Sequence, residues 1–201
     1  MIVDVVISAY NRDTSWSNKL KAHGYNIITY TKNVDEPMSK TNINVNRGNE
    51  ASSYLKHIVE NYEHLADRTV FLHDQEMSWH HEGSIVDLVV KNIDNAYINL
   101  NNYITYSILK NRNFNKLIKD YFNPYLRPYI GDHEQFGDWT YGKKGCAQYI
   151  VSRDIIISKP KIMYENLLKW ILDANWKKLG YDQGQFMEWT WDLIFLAKLV
   201  L

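Results

Sequence analysis

Short β-branched runs recur along the chain, each breaking off into a polar loop and giving way to helical spacing, and this alternation limits the folds open to it. The first is VDVVISA, Val3 to Ala9, which fits a buried strand ending near Ser8 and delivering the loop Ser8-Ala9-Tyr10-Asn11-Arg12. A short helical stretch, Trp16 to His23, is closed by Gly24, and YNIITY, Tyr25 to Tyr30, supplies a second strand. Polar residues Lys32 to Asn46 with Pro37 read as a loop. Ala51, Tyr54, Leu55, Ile58, Val59, Tyr62 and Leu65 then fall at helical spacing behind Asn49, a candidate N-cap. Thr69 to Leu72 is the next strand, Gly83 to Ile93 a helix, Ala96 to Leu100 a strand, and Ala147 to Val151 another. Two helices close the chain, Lys161 to Trp176 and Gln185 to Val200, while Asn101 to Asp132 reads as mixed helix and loop. Strands alternating with helices predict an α/β sandwich with a mainly parallel mixed sheet, in one domain spanning 1–201.

The balance of 23 basic and 23 acidic residues removes the electropositive field that holds a phosphate backbone, so nucleic acid is not an expected partner. A single cysteine, Cys146, excludes an internal disulfide and any Cys-rich zinc framework. No apolar run reaches the roughly 18 to 20 residues of a membrane span, and the N-terminus carries no cationic leader, so a soluble cytoplasmic protein is expected. Frequent Asn, Ile, Lys and Tyr suggest an AT-rich genome. The 15 Tyr and 7 Trp serve either to fill a core or to stack on sugars and bases.

Four segments carry candidate chemistry. HDQEMSWHH, residues 73 to 81, places Asp74 and Glu76 two apart just past a strand end, where open α/β sheets bind ligands. Such a pair can hold a hard divalent cation and leave room for waters and phosphates, or can be a solvated turn. Trp79, His80 and His81 add an aromatic face and two imidazoles in the same loop, as ligands, proton carriers or structural groups. The Ser8–Arg12 loop admits a nucleotide base beside Tyr10 and a phosphate beside Arg12, unless it is a plain connection. Asn46-Arg47-Gly48-Asn49-Glu50, at the start of the long helix, offers backbone amides and Arg47 to an anion, but Glu50 argues against a pure phosphate site, so the segment suits an orienting or capping role. Glu188, flanked by Trp189 and Trp191, is the candidate general base if those rings dry its surroundings, and Asp138 stands behind it. A phosphate-binding glycine loop, a GxGxxG after the first strand, a GxSxG elbow and a CxxC are absent from the sequence.

Read in order, VISAYNRDTSW (6–16), NRGNEASSYLKHIVENYEHLADRTVFLHDQEMSWHH (46–81), AYINL (96–100), AQYIVSRDII (147–156) and QFMEWTWDLIF (185–195) resemble the DUF3431 family. The chain is also similar to the GT-A-like N-terminal domain of a chlorella-virus glycosyltransferase that builds capsid glycans. That second resemblance implies a metal-dependent glycosyltransferase, moving a sugar from a nucleotide-diphosphate donor, UDP favoured, to a glycan or glycoprotein hydroxyl. It implies Ser8, Ala9, Tyr10, Asn11, Arg12, Arg47 and Asp74 at the nucleotide, and Asp74 with Glu76 at Mn²⁺ or Mg²⁺. Trp79, His80, His81 and Trp191 would then line the sugar and acceptor subsite. Glu in place of the usual second Asp departs from the family motif. The rivals are a nucleotide- or carbohydrate-binding module without turnover, and a hydrolase with a metal among His73, Asp74, His80 and His81.

Overall fold

The computed structural model describes residues 1–102, 123–131, 146–173 and 183–197. Five strands form one sheet in the order β2-β1-β3-β5-β4, with β1 Val3–Ala9, β2 Asn26–Thr31, β3 Arg68–His73, β4 Tyr97–Asn99 and β5 Tyr149–Ser152. β1 pairs in parallel with β2 and β3, whereas β5 pairs antiparallel with both β3 and β4. Four strands therefore share a direction and β5 runs against them. The expected α/β sandwich is the observed architecture; the reversal of β5 is new information, since a short run of Val and Ile carries no signal of its direction.

Side chains alternate across the sheet, and each face meets its own helices. On one face Val6, Phe71, Tyr149 and Val151 join a core with α2 (Ala51–Asn61), α5 (Lys161–Leu172) and α6 (Gln183–Leu196). On the other, Val5, Ile7, Val70, Leu72 and Ile150 pack with Leu20 of α1 (Asn18–Lys21) and with Ile85, Val86 and Val89 of α3 (Ile85–Asn92). Two helical layers thus enclose the sheet. A further helix, α4 (Arg153–Ile157), follows β5 directly and was not expected from the sequence, because its RDIII segment continues the apolar strand pattern.

Helix α2 is buried continuously from Ala51 to Ile58, wedged between the sheet and α5. Its start differs from expectation. Glu50, not Asn49, occupies the cap position, and Asn49 has φ +46°, so its side chain is turned away from the helix N-terminus. The turn depends on Gly48 (φ +66°), where an added Cβ would lie 2.3 Å from Ile171 Cγ2. Gly184 makes the complementary approach: a Cβ there would lie 2.7 Å from Asn49 Cγ. Two glycines therefore let the loop before α2 lie directly against α5 and the opening turn of α6.

The winding of the chain places the site. From β1 the chain crosses to β2 on one side, then returns through α2 to β3 on the other side of β1. That reversal opens a crevice at the C-terminal ends of β1 and β3, where Ser8 and His73 are register partners.

Candidate functional site

A cleft of about 320 Å³ occupies this crevice. Ser8, Tyr10 and Arg12 reach it from β1 and its loop, Lys32 and Asn46 from the segment after β2, Asn49 and Glu50 from the start of α2, His73, Asp74, Gln75 and His80 from β3 and beyond, and Glu188 from α6. The structure thus brings together Ser8, Tyr10, Arg12, Asp74, His80 and Glu188 from the sequence candidates. Asn46, Asn49 and Glu50 of the segment before α2, and His73, also line the cleft, whereas Lys32 and Gln75 were not singled out by the sequence, although Lys32 stands at the C-terminal end of a parallel strand.

Asp74 is the best-oriented acid. Its Oδ2 accepts the Tyr10 backbone N–H at 3.1 Å, its Oδ1 lies 3.8 Å from Arg12 Nε, and its carbonyl accepts Trp16 Nε1–H at 3.1 Å. Arg12 is more than half exposed, free to turn toward an anionic ligand. Ser8 Oγ is 2.8 Å from Ser53 Oγ in the first turns of α2, which ties the strand end to that helix. On the far wall Asn49 Nδ2–H donates to Glu188 Oε1 at 3.3 Å.

Glu76 does not pair with Asp74 across the cleft. Both its carboxylate oxygens accept Lys19 Nζ of α1 at 2.8 Å, and Oε1 also accepts Ser84 Oγ at 2.9 Å. These donors hold its carboxyl below the usual range. The two-residue offset that suggested a shared cation instead sends one acid into the crevice and the other to the α1 side of the loop. His81 is also displaced from its expected role. It is buried; Gln148 Nε2–H donates to its Nδ1 at 3.0 Å, so its Nε2 carries the proton donated to Glu76 O at 3.0 Å. His81 therefore braces the loop. Trp191 is fully buried among Tyr54 and Phe195 and belongs to the core, not to a sugar subsite. Arg47 Nη1 donates to Leu172 O at 3.2 Å, closing the C-terminal end of α5, and does not line the cleft. Ala9 is buried in the sheet, and Asn11, at φ +53°, shapes the loop without lining the cavity. Trp79 is 66% exposed beside the cleft. Asp138 lies outside the described residues.

The imidazoles are held neutral. Burial, and then the neighbouring His80 and His81, pull His73 down to about 3; burial, and then His81, lower His80. The His73 and His80 rings meet edge to face at 4.5 Å, and His80 Nδ1 lies 3.0 Å from Cys146 Sγ, whose thiol burial pushes up to about 12. With the histidines uncharged, the described lining carries Glu50, Asp74 and Glu188 against Arg12 and Lys32, a formal excess of one negative charge. A diphosphate alone would enter an unfavourable field.

Among the described residues no three His, Cys, Asp or Glu side chains converge as a metal cage. A hard cation here would find one oriented carboxylate, Asp74, and would draw its remaining oxygens from a ligand and water, the manner in which Mg²⁺ commonly binds.

These features define an α/β sandwich with an acidic, histidine-floored ligand cleft at its topological switch point. Over residues 5–201 the chain matches the family described as "Protein of unknown function (DUF3431)", and it belongs to that family. No curated protein and no solved structure matches it. Among the described residues no helix is long and apolar enough to cross a membrane.

Proposed function

We propose that this protein is a GT-A-like glycosyltransferase that takes a sugar from a nucleotide-diphosphate donor, UDP-linked by preference, and passes it to the hydroxyl of a glycan or glycoprotein in the cytoplasm. The observation that carries the reading is the Asp74 carboxylate, fixed by the Tyr10 N–H, in the crevice between the ends of β1 and β3. Ser8 and Tyr10 line the nucleotide side, and Arg12 turns from Asp74 to a phosphate when the donor enters.

Asp74 would hold the Mn²⁺ or Mg²⁺ ion. A bound ion supplies Lewis-acid neutralisation of the departing diphosphate and offsets the acidic field of the cleft. In transfer, the bond between the anomeric carbon and the diphosphate oxygen breaks, and the acceptor oxygen bonds to that carbon. Glu188 takes the proton from the acceptor hydroxyl, with Asn49 orienting its carboxylate.

The hydrolase alternative loses His81, both of whose nitrogens are engaged within the loop, and among the described residues no three His, Cys, Asp or Glu side chains converge on one point. A binding module without turnover shares the cleft and differs in leaving the donor intact.

Thermal unfolding with UDP and GDP, with and without Mn²⁺, tests the reading. At a hundredfold excess over Kd a ligand of the folded state adds about 2.7 kcal/mol, roughly 5–10 °C for a chain of this size. The shift is expected only when nucleotide and Mn²⁺ are both present, and Asp74→Asn is expected to abolish it. An undiminished shift in that variant overturns the metal assignment. A shift without release of free sugar or transfer product from UDP-sugars favours the binding module.

A further inference from the structure

We infer that Trp79 is the stacking platform for the acceptor, and that the acceptor is therefore a carbohydrate chain presenting a pyranose face, rather than a lipid or an unglycosylated peptide. The inference rests on the transferase reading and names the substrate class of that same cleft.

The loop that carries Trp79 is anchored at several points. Glu76 is bound to Lys19 and Ser84, and its carbonyl accepts both His81 Nε2–H and the Ile85 N–H at 3.1 Å. Ser78 Oγ accepts the His80 N–H at 3.3 Å, and the His80 carbonyl accepts the Asn102 N–H. A loop held this way fixes the backbone from which the side chain between Ser78 and His80 projects, and the ring itself rests on His80.

That direction is outward. The indole is 66% exposed, with its ring centroid 4.0 Å from that of His80 at an interplanar angle of 35°. One face is thus partly covered by an imidazole that itself lines the cleft. Single exposed apolar side chains are common on protein surfaces and ordinarily need no explanation. Here a large rigid ring lies on a fixed loop, in contact with the cleft wall, and leaves most of its area in water.

Carbohydrate suits this geometry. The axial C–H bonds on one face of a pyranose carry slight positive charge and lie against the negative face of an aromatic ring. The chain of contacts Trp79–His80–His73 leads from the rim to the cleft floor beside Asp74. Trp79 does not itself line the cleft, which separates it from the donor diphosphate and assigns it to the partner arriving from outside.

The test measures binding of neutral gluco-, xylo-, manno- and chito-hexaoses to the full chain, without nucleotide or metal, by calorimetry and tryptophan fluorescence. At least one hexaose is expected to bind the wild type, Trp79→Ala to weaken it at least tenfold, and Trp79→Phe to stay within about threefold. Equal melting temperatures for the variants and the wild type establish that folding is unchanged. Asp74→Asn is expected to retain the hexaose while losing the UDP–Mn²⁺ shift. Failure of every hexaose to bind, or equal binding by Trp79→Ala, overturns the platform. Loss of hexaose binding in Asp74→Asn overturns its separation from the donor subsite. Hexaose binding without any nucleotide shift in the wild type keeps the platform and removes the transferase reading beneath it.

Discussion

His57 shows what one buried side chain does to the pH response of the fold. It lies fully buried in α2, its Nδ1 3.3 Å from Tyr30 Oη and its Nε2 3.8 Å from Asp4 Oδ2 without a hydrogen bond. Burial, only partly opposed by Asp4, pulls its pKa down to about 4. The unfolded chain regains the ordinary value near 6.5, so it binds a proton first as the pH falls. The stability contributed by the neutral ring is full above pH 6.5, declines below it and levels off near pH 4, a loss of at most roughly 3 kcal/mol. Urea unfolding between pH 7.5 and 4.5 is expected to record this decline on top of those from His73 and His80, and His57→Gln is expected to make it shallower; an equally steep decline in that variant assigns it to the other two imidazoles. Trp191 gives a second residue-scale expectation. As a fully buried ring, its replacement by Ala should cost about 3–5 kcal/mol, read as a lowered urea midpoint. The sequence could not separate Trp191 from Glu188, because three residues on a helix differ by only about 60° in facing. The roughly 4.5 Å of rise between them carries one from the cleft wall into the core.

At the scale of elements, the cleft depends on how closely the loop before α2 meets α5 and α6. An added Cβ at Gly184 would lie 2.7 Å from Asn49 Cγ and 2.9 Å from the Gly48 carbonyl carbon, so backbone must move to admit it. Gly184→Ala is expected to lower stability by roughly 1–3 kcal/mol through overpacking. It should also reduce the UDP–Mn²⁺ shift, because Asn49 and Glu188 move apart. Gly24→Ala is the comparison: its Cβ meets nothing within 4 Å, and at φ +83° only backbone strain is added. Thermal unfolding of both variants with and without nucleotide separates the two effects; a full ligand shift in Gly184→Ala dissociates the contact from the site. The helical spacing after Asn49 made α2 legible, and the apolar runs did the same for all five strands of the sheet. The cap was misplaced because a positive-φ residue before a helix leaves no mark in the letters beyond the adjacent glycine.

For the whole molecule, the layers follow from continuous apolar runs in β1 and β3, which are buried on both faces and so demand helices on each side, and this was readable before any coordinates. The crevice was readable too, through the polar endings of those two strands. Which acids share it was not, since Asp74 and Glu76 differ only in whether Lys19 and Ser84 reach them, and that is a tertiary fact. Lys32 was hidden by its place at the head of a polar stretch that resembled any surface loop. The reversed β5 has a consequence for how such a scaffold can diversify. Its opening residues, rather than its closing ones, stand at the working rim: Gln148 just ahead of it grips His81, and Cys146 touches His80. Residues inserted just ahead of Cys146 would therefore enter at this rim, while the four co-directional strands kept their register.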